Sequence, residues 1–148
     1  MISDAHVGRT YPPTEPYLVS REKIAEFADA LGDDNPAYRG ESPVAPPTFA
    51  IVVQDLTLQQ LLADPEAEVD FSRVVHGDQR FTYSRPIVAG DELTGTMTVT
   101  GVKQLGGNSM VTSATEIVDA AGEHVVTAVS SLVVRAPDEA DGAEEDAA

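Results

Sequence analysis

Asp33, Asn35 and Tyr38 lie close together in the run Gly32-Asp33-Asp34-Asn35-Pro36-Ala37-Tyr38. The run sets a carboxylate, an amide and a phenol side by side. A phenol has a reference pKa of about 10, so at pH 7 it donates a hydrogen bond but does not readily accept a proton. What the set lacks is a side chain that titrates near neutrality and can act as general base. The same residues also read as ordinary structure. Asp and Asn favour turns just past a helix end, Asn-Pro starts turns, and tyrosines commonly pack with the hydroxyl satisfied.

His76 is the other candidate base. It falls on an expected interior strand beside Gly77, where the plainer reading is a hydrogen-bonded histidine at a bulge. His6 in the N-terminal arm and His124 after a turn read as surface residues. No two histidines are spaced i, i+4, so no metal site is expected. There is no Gly-rich phosphate loop and no Gly-x-Ser-x-Gly elbow. With no cysteine, thiolate chemistry and disulfides are excluded.

The elements that must position these groups follow from periodicity. Ser20 is a natural N-cap. Ile24, Phe27, Ala28 and Leu31 follow at i, i+3, i+4 and i+7, which predicts a three-turn helix over 21–31, ended by Gly32. The loop 33–47 carries Pro36, Pro43, Pro46 and Pro47 and holds its side chains on a stiff path. Thr48 is placed to cap a second helix over 49–62. This helix is apolar nearly all round at its start and so needs cover on every side. From residue 71 the texture changes to strands. Phe81 and Tyr83 alternate with Arg80, Thr82 and Ser84; Leu93, Gly95, Met97 and Val99 alternate with threonines. Gly106-Gly107-Asn108 reads as a hairpin turn. Helices followed by four long antiparallel strands argue α+β, with one sheet curving around the buried helix.

At 148 residues the chain is one domain's worth. The boundaries are a single domain over 1–137, with a Pro-rich arm over 7–17, and an acidic tail over 138–148. The tail is Asp/Glu/Ala/Gly without aromatic or β-branched residues, so disorder is expected there. The net charge is −16, and without the six carboxylates of the tail it is still −10. This argues against nucleic acid as a partner. No apolar run reaches the ~18 residues of a membrane span, and the N-terminus has no basic-plus-apolar leader. A soluble, cytoplasmic protein is expected.

The order of elements and four stretches resemble the hot-dog fold of the MaoC-like (R)-specific enoyl-CoA hydratase and 3-hydroxyacyl-thioester dehydratase superfamily. The superfamily motif is approximately Gly-Asp-x-Asn-Pro-x-His, against Gly32 to Tyr38 here. The stretches 17–24, 45–49 (Ala-Pro-Pro-Thr-Phe), and 73–83 with 85–91 (Arg-Pro-Ile-Val-Ala-Gly-Asp) look like the small N-terminal FAS1-type dehydratase subfamily that includes HadA and HadC. The resemblance spans about residues 7–136.

The resemblance implies an antiparallel sheet wrapped around a long central helix, and pairing of two such units. It makes Asp33, Asn35 and Tyr38 the positions of a variant catalytic motif, with Tyr38 where the His belongs. It places Pro47, Thr48, Phe49, Gly77 and Gln79 at substrate-binding positions, with a backbone N–H at the start of the central helix polarising the thioester carbonyl. The implied ligand is an acyl-CoA or acyl-carrier-protein thioester, with no cofactor. Three readings stay open. One is a non-catalytic subunit paired with a His-bearing partner. Another is a self-sufficient homodimeric hydratase using Asp33 and His76, and the third is an acyl-thioester-binding module without chemistry. Docking of an acidic carrier on so negative a chain would draw on Arg39, Arg80, Arg85 or the partner.

Overall fold

The computed structural model describes residues 1–137, so the expected disorder of the tail lies outside the described residues. Helix α1 is Arg21–Ala30, and Ser20 caps it by accepting the Lys23 N–H at 3.1 Å. Ile24 and Ala28 of its apolar stripe are fully buried. Leu31 is not: it is the C-cap, one residue past the helix, and 54% of it is exposed.

Helix α2, Ile51–Ala63, starts two residues later than expected and Thr48 does not cap it. The reason is local. Pro46 and Pro47 lead into tight i→i+3 turns, with Phe49 N–H on the Pro46 carbonyl at 2.9 Å and Ile51 N–H on the Thr48 carbonyl at 3.1 Å. Phe49 therefore sits in the turn, fully buried, with its ring edge-on to Phe27 at 5.3 Å.

Five strands form one antiparallel sheet: β1 Tyr17–Leu18, β2 Val74–Tyr83, β3 Glu92–Leu105, β4 Asn108–Val118 and β5 His124–Val134, in the order β1-β3-β4-β5-β2. The expected count of four lacked β1, which is too short to leave a period in the sequence. The sheet curls around α2, and the expected alternation holds: Leu93, Gly95, Met97 and Val99 are all buried, while the threonines between them are half-buried. Gly95 is the point of closest approach. A Cβ there would lie 3.0 Å from the Thr57 methyl, 3.2 Å from Val53 and 3.3 Å from that of Thr115, so only glycine lets α2 lie this near. Cover of α2 is one-sided, however: Val53, Thr57 and Leu61 are buried, whereas Asp55 and Leu56 are exposed.

The two edges of the sheet differ. The N-terminal arm runs along β3, with Gly8 N–H on Val99 at 2.8 Å, Tyr11 N–H on Met97 at 2.9 Å and Thr14 N–H on Gly95 at 2.9 Å. Tyr11 is buried and donates to Asp64 Oδ2 at 2.7 Å. His6 is buried as well, contrary to the surface placement expected. Its Nδ1 accepts from Ser3 N–H at 3.1 Å and its Nε2 lies 3.1 Å from the Glu66 carbonyl, a partner 60 residues away. At the opposite edge β2 pairs only with β5. No helix among the described residues is long and apolar enough to cross a membrane.

Candidate active-site cleft

The motif loop begins where α1 ends. Gly32 adopts the left-handed backbone (φ 68°) that a side chain resists. Asp33 N–H then returns to the Ala28 carbonyl at 3.0 Å. Asp33 Oδ1 accepts the Asn35 N–H at 3.0 Å, and Asn35 Oδ1 accepts the Ala37 N–H at 3.0 Å. Asn35 thereby caps a single 3-10 turn, Pro36–Tyr38. Both motif side chains are thus engaged with backbone two residues on. Arg39 fixes the loop from outside, donating to the Asn35 and Asp33 carbonyls at 3.0 Å each and to Asp29 at 2.5 Å.

Tyr38 faces a cleft of about 440 Å³ that it shares with Ala45, Pro47, Tyr83, Arg85 and Ile87. The structure therefore brings together Tyr38 and Pro47, which sequence reasoning singled out, and adds Tyr83. The Tyr83 hydroxyl donates to the Pro47 carbonyl at 2.6 Å. Burial pushes this phenol up to about 12, opposed by a hydrogen bond from the Ala50 backbone. Of the N–H groups in the turn ahead of α2, Phe49's is bonded to Pro46 and Ala50's faces Tyr83. Tyr83 was legible as sharing one side of its strand with Phe81; its contact with Pro47, 36 residues back, left no local signal.

Arg85 is the scaffold's clamp. It donates to both carboxylate oxygens of Asp91, at 2.8 and 3.1 Å, and to Asp119 at 3.2 Å. These bonds, Asp91 first, raise its pKa above the ordinary guanidinium value. Asp91 also accepts the Val88 N–H at 2.9 Å, and Gly90 between them takes φ 94°. The stretch 85–91 is therefore a locked turn. Arg39, Arg80 and Arg85, the cations expected to serve carrier docking, each lie in an ion pair with a carboxylate of this chain.

The remaining candidates lie elsewhere. Thr48 is exposed on the turn and Phe49 is core. His76 is on β2, which is an edge strand and not the interior strand expected, because β1 and the arm extend the sheet only on the other side. Gly77 is the bulge: the register slips between His76 and Asp78, and a Cβ at Gly77 would meet the Ser131 carbonyl at 3.4 Å. The His76 ring is exposed, 3.1 Å from the Asp78 carbonyl, and it lines a second cavity beside α2. It does not line the cleft of Tyr38. Gln79 donates to the Arg80 carbonyl at 3.4 Å, and its buried Oε1 has no partner. Gln54, an amide in an otherwise apolar turn of α2, also lines the second cavity and was passed over in the sequence. Among the described residues no three His, Asp or Glu side chains are grouped to hold a metal ion.

Residues 5–128 match the family model of the FAS1-like dehydratase domain region. Over 143 residues the chain is 64% identical to a UPF0336 protein of Leifsonia xyli, covering 90% of this chain and 96% of that relative. Among solved structures it is similar to the HadBC (3R-hydroxyacyl-ACP dehydratase) complex of Mycobacterium tuberculosis, at 28% identity and a TM-score of 0.74, covering 86% of this chain and 96% of that one. It is similar as well to a MaoC-like dehydratase at 30% identity and a TM-score of 0.79; the match takes 91% of this chain but only 44% of that longer one. With its helices, curled five-stranded sheet and motif loop in the hot-dog arrangement of those dehydratases, this chain belongs to the FAS1-like dehydratase-region family.

Proposed function

We propose that this chain is the acyl-thioester-binding, non-catalytic subunit of a cytoplasmic (3R)-hydroxyacyl-thioester dehydratase or (R)-specific enoyl hydratase of fatty acid metabolism. The observation that carries this reading is that Tyr38 and Tyr83 line the same cleft. Where the family motif has a base, the cleft holds two phenols, and Tyr83 already occupies the Pro47 carbonyl. Dehydration needs a group that takes the α-proton and returns it to the departing hydroxyl. Asp33, bonded to the Asn35 N–H, has no histidine bonded to it among the described residues. That proton traffic belongs to a second, His-bearing MaoC-like chain.

The edge for that partner is β2. The arm closes the β3 side of the sheet, while β2 has no further strand beyond it among the described residues; Val75 on β2, Phe71 just before it and Leu56 of α2 are exposed apolar side chains at 50, 63 and 39%. An open edge with apolar neighbours favours continuation of the sheet into another chain. The HadBC complex is a two-chain example among the similar structures.

The test is to assay hydration of a trans-2-enoyl thioester, as CoA and as acyl-carrier-protein ester, by the isolated chain and by the chain co-purified with a His-bearing MaoC-like protein. Turnover only in the second case is the expected result. Turnover by the isolated chain would support a homodimeric hydratase instead. Binding without turnover in both arms would leave a binding module.

A further inference from the structure

Between α2 and the inner face of the sheet lies the second cavity, of about 230 Å³. The motif loop does not reach it. Ile51, Leu58, Met97 and Leu132 give it apolar walls, three buried polar side chains interrupt them, and the exposed Asp55 and His76 also line it. Gln54 is 5% exposed and its Oε1 has no hydrogen-bond partner. Ser113 and Ser130, 4% and 5% exposed, share a hydrogen bond at 3.2 Å.

Each of these groups has unused capacity. Two hydroxyls that bond each other use one proton, so the second proton still needs an acceptor. A buried amide oxygen needs a donor, and leaving it unmet in apolar surroundings is costly. A plain hydrocarbon chain filling this space satisfies neither and keeps out water that would. A hydroxyl carries both the donor that the Gln54 oxygen lacks and the acceptor that the serine pair lacks. Sites built to bond a ligand hydroxyl discriminate strongly against the analogue that lacks it.

We propose that this cavity selects acyl chains bearing a hydroxyl of their own, farther along the chain than the 3-hydroxyl that a dehydratase removes. This rests on the acyl-thioester reading above and names the acyl class within it.

The full chain is titrated by calorimetry with octanoyl-CoA and with its mono-hydroxylated analogues, the hydroxyl moved in turn from mid-chain to the ω end. One analogue is expected to bind about tenfold tighter than octanoyl-CoA. In Gln54→Leu the ratio falls to about one or inverts, while octanoyl-CoA still binds. Ser130→Ala, which keeps the amide, also lowers the ratio and carries the test if Gln54→Leu does not fold. Octanoyl-CoA bound as tightly as every analogue, or a preference that survives both substitutions, overturns the proposal. If no acyl-CoA of either kind binds, the acyl-thioester reading itself fails, and this one with it.

Discussion

The hydroxyl of Tyr83 donates to the carbonyl of Pro47 at 2.6 Å, joining the end of β2 to the turn ahead of α2. This bond ties the strand end to the turn, and the Tyr83 oxygen also takes the Ala50 N–H, a donor that the proposed function would need for a thioester oxygen. Tyr83→Phe keeps the ring and removes the bond. The expected cost is about 1 kcal/mol of stability, as for one neutral hydrogen bond, read as a fall in the urea midpoint at unchanged slope. If stability does not change, the bond is not holding the turn.

Tyr38→His restores the motif residue but not the rest of the site. Tyr83 remains on the Pro47 carbonyl. Enoyl-thioester hydration by the isolated Tyr38→His chain is therefore expected to stay at background, and to rise only when Tyr83→Phe is added. Turnover from the single variant would show that the turn is open as it stands.

Much of the fold was legible because its elements repeat locally. The stripe of Ile24 and Ala28, the alternation through Leu93 to Val99, and the Gly106-Gly107 hairpin, both residues at positive φ, each show within a few residues. Even the bulge at Gly77 was readable. The features that were not legible depend on distant contacts or on backbone competition. Pro46 and Pro47 divert Phe49 into a turn although its neighbours look helical. His6 is buried through Glu66, and Tyr83 is placed by Pro47; neither partner is near in sequence. In the site, Gly32 to Tyr38 stood out by composition, while the role of Gln54 depended on knowing which face of α2 meets the sheet.

Gly95→Ala tests the close approach of α2. Its Cβ would press on Thr57, Val53 and Thr115 at 3.0–3.3 Å, and overpacking of this kind costs about 1–3 kcal/mol. A fall in Tm of several degrees is expected, which thermal unfolding checks. Adding Thr57→Ser removes the nearest methyl and should return part of the loss, a coupling that the double-mutant cycle measures. Full additivity would mean that the sheet gives way and the helix does not.

Asp64, just past the end of α2, predicts how the fold responds to acid. Its carboxylate accepts the Tyr11 hydroxyl and the Arg9 guanidinium, each at 2.7 Å, and the Glu66 N–H at 2.9 Å. These bonds, Tyr11 first, hold its pKa down at about 2, below the ordinary carboxylate value of 3.8. A group whose pKa is lower folded than unfolded stabilises the fold above its unfolded value, and that stabilisation is lost as pH falls through the folded value. Tm should therefore drop on acidification from about pH 4 to about pH 2. In Asp64→Asn, Tm should be lower at neutral pH and this part of the profile flatter. Tyr11→Phe removes the bond that lowers the Asp64 pKa most, so the folded value rises towards 3.8, and the acid loss should be smaller and complete at higher pH than in the wild type. Because Tyr11 belongs to the arm that covers β3, the same acidification should release the arm, seen as reduced protection of the Tyr11 and Thr14 amides relative to their intrinsic exchange at each pH. An acid profile in Asp64→Asn that overlays the wild type would show that Asp64 does not hold the arm.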